Sequence, residues 1–223
     1  MEGIEQIVTS DGSHSLYVPA LDETYHSRHG AVQESEHVFI RHGLRYLIQS
    51  PRAYRPLRIL EIGFGTGLNA LLTCKHQKEQ AVHYLSLETF PLAWELVKNL
   101  NYVSEPSLAP FFQELHQAEW EKPVVVSPLF TLQKVQTSLL DFVPTPSSYD
   151  LVYFDAFAPS KQPELWTEAV MRKMYEALAD GGVLVTYCAK GQLKRDLKAC
   201  GFTVETLQGP PGKKEMVRAM KNS

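Results

Sequence analysis

The sequence predicts an α/β protein built on a mostly parallel sheet, and three observations carry that expectation. From Arg58 onward, short apolar runs alternate with segments of helical period; the first run ends in a comb of three glycines; and only Gly-Pro-Pro-Gly separates the last two strand-like segments. Alternating strands and helices imply right-handed crossovers, which lay helices on both faces of a parallel sheet. A four-residue connection is too short for a crossover, so the last two strands are expected to pair as an antiparallel hairpin at the sheet edge.

The elements follow in order. RILEIG reads as a buried strand, GLNALLTCKHQK as a helix, VHYLSLE as a strand, and PLAWELVKNL as a helix with Pro91 in its first turn. SEPSLAPFFQELHQAEW reads as a helical insertion, followed by the strands FTLQKVQ and YDLVYFDAF, the helix PELWTEAVMRKMYEALA and the strand GGVLVTYCA. A helix from Gln192 to Ala199 leads into FTVETLQ and KEMVRAMK, completing an expected sheet of seven strands. The segment YVPALDETYHSRHGAVQESEHVFIRHG has no clean period and is expected to cap the carboxyl edge of the sheet. The expected organisation is one compact unit, with a cap over 1–50 and the α/β domain over 51–223.

Composition narrows the function classes. A chain of 223 residues suits one well-buried core. Nothing approaches the roughly 18 consecutive apolar residues of a membrane span, and MEGIEQIVTSDGSHS lacks the basic and apolar regions of a secretory signal, so a cytoplasmic protein is expected. Cys74, Cys188 and Cys200 are odd in number and widely spaced. They fit neither a disulfide framework nor a zinc site, and no metal is expected. A net charge of -3 excludes a uniformly basic surface but leaves room for a local basic patch.

In an open α/β sheet, ligands sit beyond the carboxyl ends of the strands, where the first strand turns into its helix. Gly63, Gly65 and Gly67 lie there. A nicotinamide fingerprint needs glycines at its first, third and sixth positions; here they fill the first, third and fifth, with Leu68 at the sixth. Glu61, two residues before the comb, is a poor neighbour for a pyrophosphate and a good one for a cationic ligand such as S-adenosylmethionine. The plainer alternative is that the glycines only permit close strand-to-helix packing. Glu88 ends the second strand, where an acid accepts hydrogen bonds from ribose hydroxyls. Asp141 falls in the next carboxyl-end loop, either as a partner for an adenine amino group or as a turn residue. Asp155 ends the YDLVYFD strand, with Phe157 and Pro159 following as rigid apolar walls. A carboxylate so placed suits an amine substrate, attracting its cation, orienting its nitrogen and accepting its proton; the alternative is a helix N-cap.

ILEIGFGTGLN, LETFP, YFDAFAPSKQPELWT with Trp166, and CGFTVETLQGPPGKKEM together resemble the methyltransferase domain of the MnmC/MnmD family of tRNA 5-(aminomethyl)uridine methyltransferases. The resemblance covers nearly the whole chain and reaches upstream to TYHSRHGAVQESEHVFIRHG, where Glu36 departs from the pattern of the two-domain members. It implies a Rossmann-like class I methyltransferase fold, in the stand-alone form without the flavin-dependent oxidase. It also implies methylation of the aminomethyl group of a wobble uridine, often 2-thiolated, with S-adenosyl-L-methionine as cofactor. The implied partners are tRNA, at its anticodon region, and the upstream enzymes that modify the same uridine. Carried over by residue, Gly63, Phe64, Gly65, Thr66, Gly67 and Asn69 form the methionine-side loop, and Glu88 contacts ribose. Asp141 contacts adenine, Asp155 is the catalytic carboxylate, and Tyr25 and Ser27 reach in from the cap. Phosphate contacts fall to Lys161, to the run from Lys190 to Lys198 that includes Lys194 and Arg195, and to Lys213 and Lys214, although such a run can equally be a solvated helix face. Two rival readings stand beside this one: an aminopropyltransferase or another small-amine N-methyltransferase, and a non-catalytic Rossmann-like module that binds RNA or a partner.

Overall fold

The computed structural model describes residues 3–49 and 55–222. The boundary expected between 50 and 51 lies outside the described residues.

β1 (Glu5–Val8), β2 (His14–Val18) and β3 (Glu23–Thr24) form a small antiparallel sheet in that order. A continuous helical run follows: α1 (Ala31–Ser35), a π-helical stretch (Glu36–Leu44) and α2 (Arg45–Ile48). This run corrects the expectation of a cap over the whole amino-terminal segment. Val38, Phe39, Ile40 and Leu44 are buried, and Gly43 lies so close to the sheet that a Cβ there would come 3.0 Å from Val185 and 3.2 Å from Tyr153. The run therefore packs on the sheet face. The sequence hides it because i→i+5 winding shifts the apolar residues off the spacing of an α-helix.

The main body comprises β4 (Leu57–Ile62), α3 (Leu68–His76), β5 (Val82–Leu87), α4 (Trp94–Val97), α5 (Ala109–Gln117), β6 (Val124–Ser127) and β7 (Phe130–Val135). It continues with β8 (Tyr149–Phe154), α6 (Glu168–Ala177), β9 (Leu178–Thr186), α7 (Gly191–Ala199), β10 (Thr203–Gln208) and β11 (Glu215–Met220). Eight strands form one sheet in the order β10-β11-β9-β8-β4-β5-β7-β6. β4 is central, pairing in parallel with β5 on one side and with β8 on the other. The largely apolar character of β4 and β8, broken only by Arg58, Glu61 and Asp150, follows from burial on both faces.

The hairpin stands at the edge as expected, with β11 antiparallel to both β9 and β10. The count of seven strands is short by one. β6 pairs antiparallel with β7 at the far edge; four residues flanked by Pro123 and Pro128, with Val125 70% exposed, carry too little of a strand's signature to be read from sequence. The helix expected from Pro91 shrinks to α4, because Phe90 turns back to donate its N–H to the Glu88 carboxylate at 2.8 Å and residues 91–93 stay non-helical. Among the described residues no helix is long and apolar enough to cross a membrane.

Candidate active site

The carboxyl ends of β4, β5, β8 and β9 open into a cavity of about 570 Å³, roofed by residues 23–29. That is the size range of a small-molecule site.

The comb forms its floor. Gly63, Gly65 and Gly67 have φ of +92°, +50° and +73°, in the left-handed region that side chains avoid. Space forbids side chains too: a Cβ on Gly63 would lie 3.0 Å from the Asp155 carbonyl oxygen, and one on Gly67 2.9 Å from the His116 ring. Gly63 and Phe64 both donate their N–H to the Leu87 carbonyl, tying the loop to the end of β5. Phe64, Thr66 and Asn69 line the cavity, while Gly67 stands behind it as the N-cap residue of α3.

Glu88 lines the cavity with both carboxylate oxygens anchored, Oε2 accepting the Gly65 N–H at 2.9 Å and Oε1 the Phe90 N–H at 2.8 Å. Each oxygen keeps a lone pair for a hydroxyl. Asp155 sits between comb and roof, its Oδ2 accepting from Asn69 Nδ2 at 2.8 Å. Burial, reinforced by the charge of Glu34, raises its carboxyl to about 7. The helix N-cap alternative falls away: the next helical turn begins only at Pro163, and Thr167 caps α6 by accepting the Val170 N–H. Phe157 stands in the wall, its ring 5.2 Å from that of Tyr25, and its backbone is held by Trp166 and Gln162. Tyr25 and Ser27 line the roof.

Several expectations change. Glu61 is fully buried beneath the floor, where it accepts a hydrogen bond from Ser86 at 2.6 Å. Burial lifts its carboxyl to about 8, so at neutral pH it is a protonated structural acid and not a charge facing a cation. Asp141 is exposed and absent from the cavity wall; the turn closed by its N–H to the Ser138 carbonyl directs it to solvent, and Thr137, Ser138 and Leu139 take its place. Pro159 stands outside the lining, as does Lys161, whose ammonium lies 3.9 Å from Asp22. Lys194 is ion-paired with Glu215 at 3.0 Å, and Arg195 donates to Gln192 while staying exposed, as Lys190, Lys198 and Lys214 are.

Sequence reasoning missed Glu34 and Tyr187 as cavity residues and misplaced Lys213, whose ammonium turns inward to Glu34. Tyr187 carried a readable signal, since it directly follows β9 at its carboxyl end. Glu34 did not, lying in the segment without period.

The lining fits a nucleoside with a positive centre: a fixed carboxylate for ribose, an apolar wall from Leu87, Phe90 and Leu139, and a glycine floor that admits a ligand against backbone. A buried oxygen, Asn69 Oδ1, has no hydrogen-bond partner at that floor.

A family model described as S-adenosyl-L-methionine-dependent methyltransferase matches residues 128–222. The tRNA 5-methylaminomethyl-2-thiouridine biosynthesis bifunctional protein MnmC of Cupriavidus metallidurans is 30% identical over 98% of this chain and 34% of its own length. The protein of the same name from Cupriavidus necator is 32% identical over 98% and 34%. The chain thus spans about a third of the length of the curated relatives it matches. Among solved structures, MnmC2 from Aquifex aeolicus superposes with a TM-score of 0.79 at 26% identity, covering 98% of this chain and 70% of that one. Spermidine synthase from Thermotoga maritima, at 14% identity and a TM-score of 0.56 over 98% and 72%, shares the fold alone.

Proposed function

We propose that this chain, an S-adenosyl-L-methionine-dependent methyltransferase related to MnmC, methylates the aminomethyl group of 5-aminomethyl-(2-thio)uridine at the wobble position of tRNA. The observation that carries this reading is Asp155, a half-buried carboxylate held by Asn69 in the cavity that the glycine comb floors. Gly63, Phe64, Gly65, Thr66 and Asn69 hold the methionine end of the cofactor, and Glu88 holds its ribose. Bound there, S-adenosyl-L-methionine supplies an electrophilic methyl group on a sulfonium sulfur and leaves as S-adenosylhomocysteine.

The chain's own work is positioning and proton handling. Asp155 attracts the substrate ammonium and takes one of its protons, leaving a nitrogen lone pair free to attack the methyl carbon. A carboxyl near 7 is matched to that task, because it passes easily between its two forms at neutral pH. Tyr25 and Phe157, packed edge to face, form an aromatic wall of the cavity beside Asp155. The amine must be installed beforehand, so enzymes that modify the same uridine act upstream, in the cytoplasm where tRNA matures.

The test is nucleoside mass analysis of tRNA from a strain lacking the activity, before and after incubation with the chain and the methyl donor. Conversion of the aminomethyl to the methylaminomethyl nucleoside is expected. Unchanged tRNA together with methylation of putrescine by the same donor, or its aminopropylation when decarboxylated S-adenosylmethionine replaces that donor, would transfer the chain to the small-amine enzymes.

A further inference from the structure

Lys213 stands where an alkylammonium ion would bind. Its Nζ is ion-paired with Glu34, a side chain 8% exposed, and lies 3.8 Å from the centre of the Tyr187 ring. Neither partner depends on the lysine for its place. Glu34 spends its other oxygen, Oε2, on the Ser27 N–H at 2.8 Å, and the Tyr187 hydroxyl donates to the Ala156 carbonyl at 2.9 Å. The carboxylate and the aromatic face are thus fixed from the main-chain side, and both open on the cavity that holds Asp155. A desolvated carboxylate beside an aromatic face is the combination that selects organic ammonium ions.

The lysine, by contrast, is delivered on a turn. Lys213 belongs to the β10–β11 connection, closed by its own N–H to the Pro210 carbonyl. Gly212, at φ +83°, lies so close to His29 that a Cβ would come within 2.0 Å of the ring. The turn therefore leans on the roof of the cavity, and Lys213 projects past it to Glu34.

We propose that Glu34 and Tyr187 form the subsite that recognises the substrate's aminomethyl group as its ammonium ion, and that Lys213 occupies this subsite until substrate displaces it. This rests on the reading of the substrate as a cationic amine. It separates two tasks within one cavity: Glu34 and Tyr187 select the cation, and Asp155 receives its proton. It also gives Lys213 a role unlike the outward phosphate contact expected from sequence, since its charge is already committed to an internal partner.

Methylammonium is the probe, titrated by calorimetry into the full chain. Lys213→Met is expected to bind it roughly tenfold or more tightly than the wild type, the scale of one lost competing cation. Adding Glu34→Gln to that variant should abolish the gain, and Glu34→Gln alone should raise KM for aminomethyl tRNA well beyond any fall in kcat. Equal methylammonium affinity in the wild type and Lys213→Met, or a gain that survives Glu34→Gln, overturns the proposal. If circular dichroism shows Lys213→Met unfolded, Lys213→Gln, which can still hydrogen-bond Glu34, takes its place with the same expected gain. Cofactor titration and tRNA turnover of the wild-type chain distinguish the two readings: a wild type inert on tRNA fails the proposed function, whereas an active one with no methylammonium gain in the variants fails the subsite alone.

Discussion

Asp155 and Glu61 are acids held above their ordinary range, to about 7 and about 8, by burial in the first place. The sign of the consequence is set by linkage: the folded state binds these protons more tightly than the unfolded chain, so their contribution to stability is complete at low pH and drains away as pH rises. The window runs from the ordinary values of 3.8 and 4.5 up to about 7 and about 8. Glu61→Gln, which cannot ionise, is expected to flatten the fall in stability across that window, measured as urea midpoints at several pH values; a midpoint profile parallel to wild type would place the titration elsewhere. Asp155→Asn should likewise be more stable than wild type above pH 7 while losing most methyl transfer, because Asn keeps the shape but accepts no proton. Wild-type turnover in that variant would make Asp155 a structural acid. The residue scale is where the sequence was most legible and also most misleading. Asp155 and Glu88 were readable because they end strands whose carboxyl edge is fixed by the fold. Glu61, two residues nearer the amino end of β4, looked equivalent; it lies inside the strand, opposite Ser86 of β5 and Tyr153 of β8, and is covered there instead of standing at the open edge.

At the scale of elements, the comb loop is a tight joint between β4 and α3. Gly67→Ala must place a side chain at φ +73° and 2.9 Å from the His116 ring, which itself accompanies α5. Both stability and cofactor affinity are expected to fall, the former by about 1 to 3 kcal/mol for a non-glycine residue in strained backbone against close contacts. Calorimetric affinity equal to wild type would show that the loop has room to relax. Elements with one clean period were visible in advance: the strands β4, β5, β7, β8 and β9, the helices α3 and α6, and the closing hairpin. The obscured ones share a physical cause. The π-helical run has a period that sequence templates do not test, β6 is an edge strand between prolines, and α4 is cut short by the turn that fixes Glu88.

For the whole molecule, the proposed tRNA substrate raises the question of how a chain of net charge -3 would engage a polyanion. The exposed cations Lys190, Arg195 and Lys198 belong to or adjoin α7, which begins beyond the carboxyl end of β9, on the cavity side of the sheet. Reversing the charge of Arg195 and Lys198 should raise KM for tRNA and reduce the steepness of its salt dependence while sparing cofactor affinity, because each lost phosphate contact removes close to one unit from the logarithmic salt slope. An unaltered salt slope would leave that helix a solvated face.

The central place of β4 has a kinetic consequence. Its partners β5 and β8 are far apart in the chain: Ile59 faces Tyr84 on one side and Leu151 on the other. The first pairing closes a short loop and the second a long one, so the β4–β5–β7–β6 half can assemble before β8 arrives. The cavity straddles that late junction, with the comb and Glu88 on the early half and Asp155, Phe157 and Tyr187 on the other. The bond from the Asp155 N–H to the Ile62 carbonyl is a stitch across it. A cofactor held between the halves acts as a clasp, and hydrogen exchange at Asp155 should slow on adding S-adenosylhomocysteine more than exchange within β5. Equal slowing throughout the sheet would mean that the halves part only when the whole molecule unfolds.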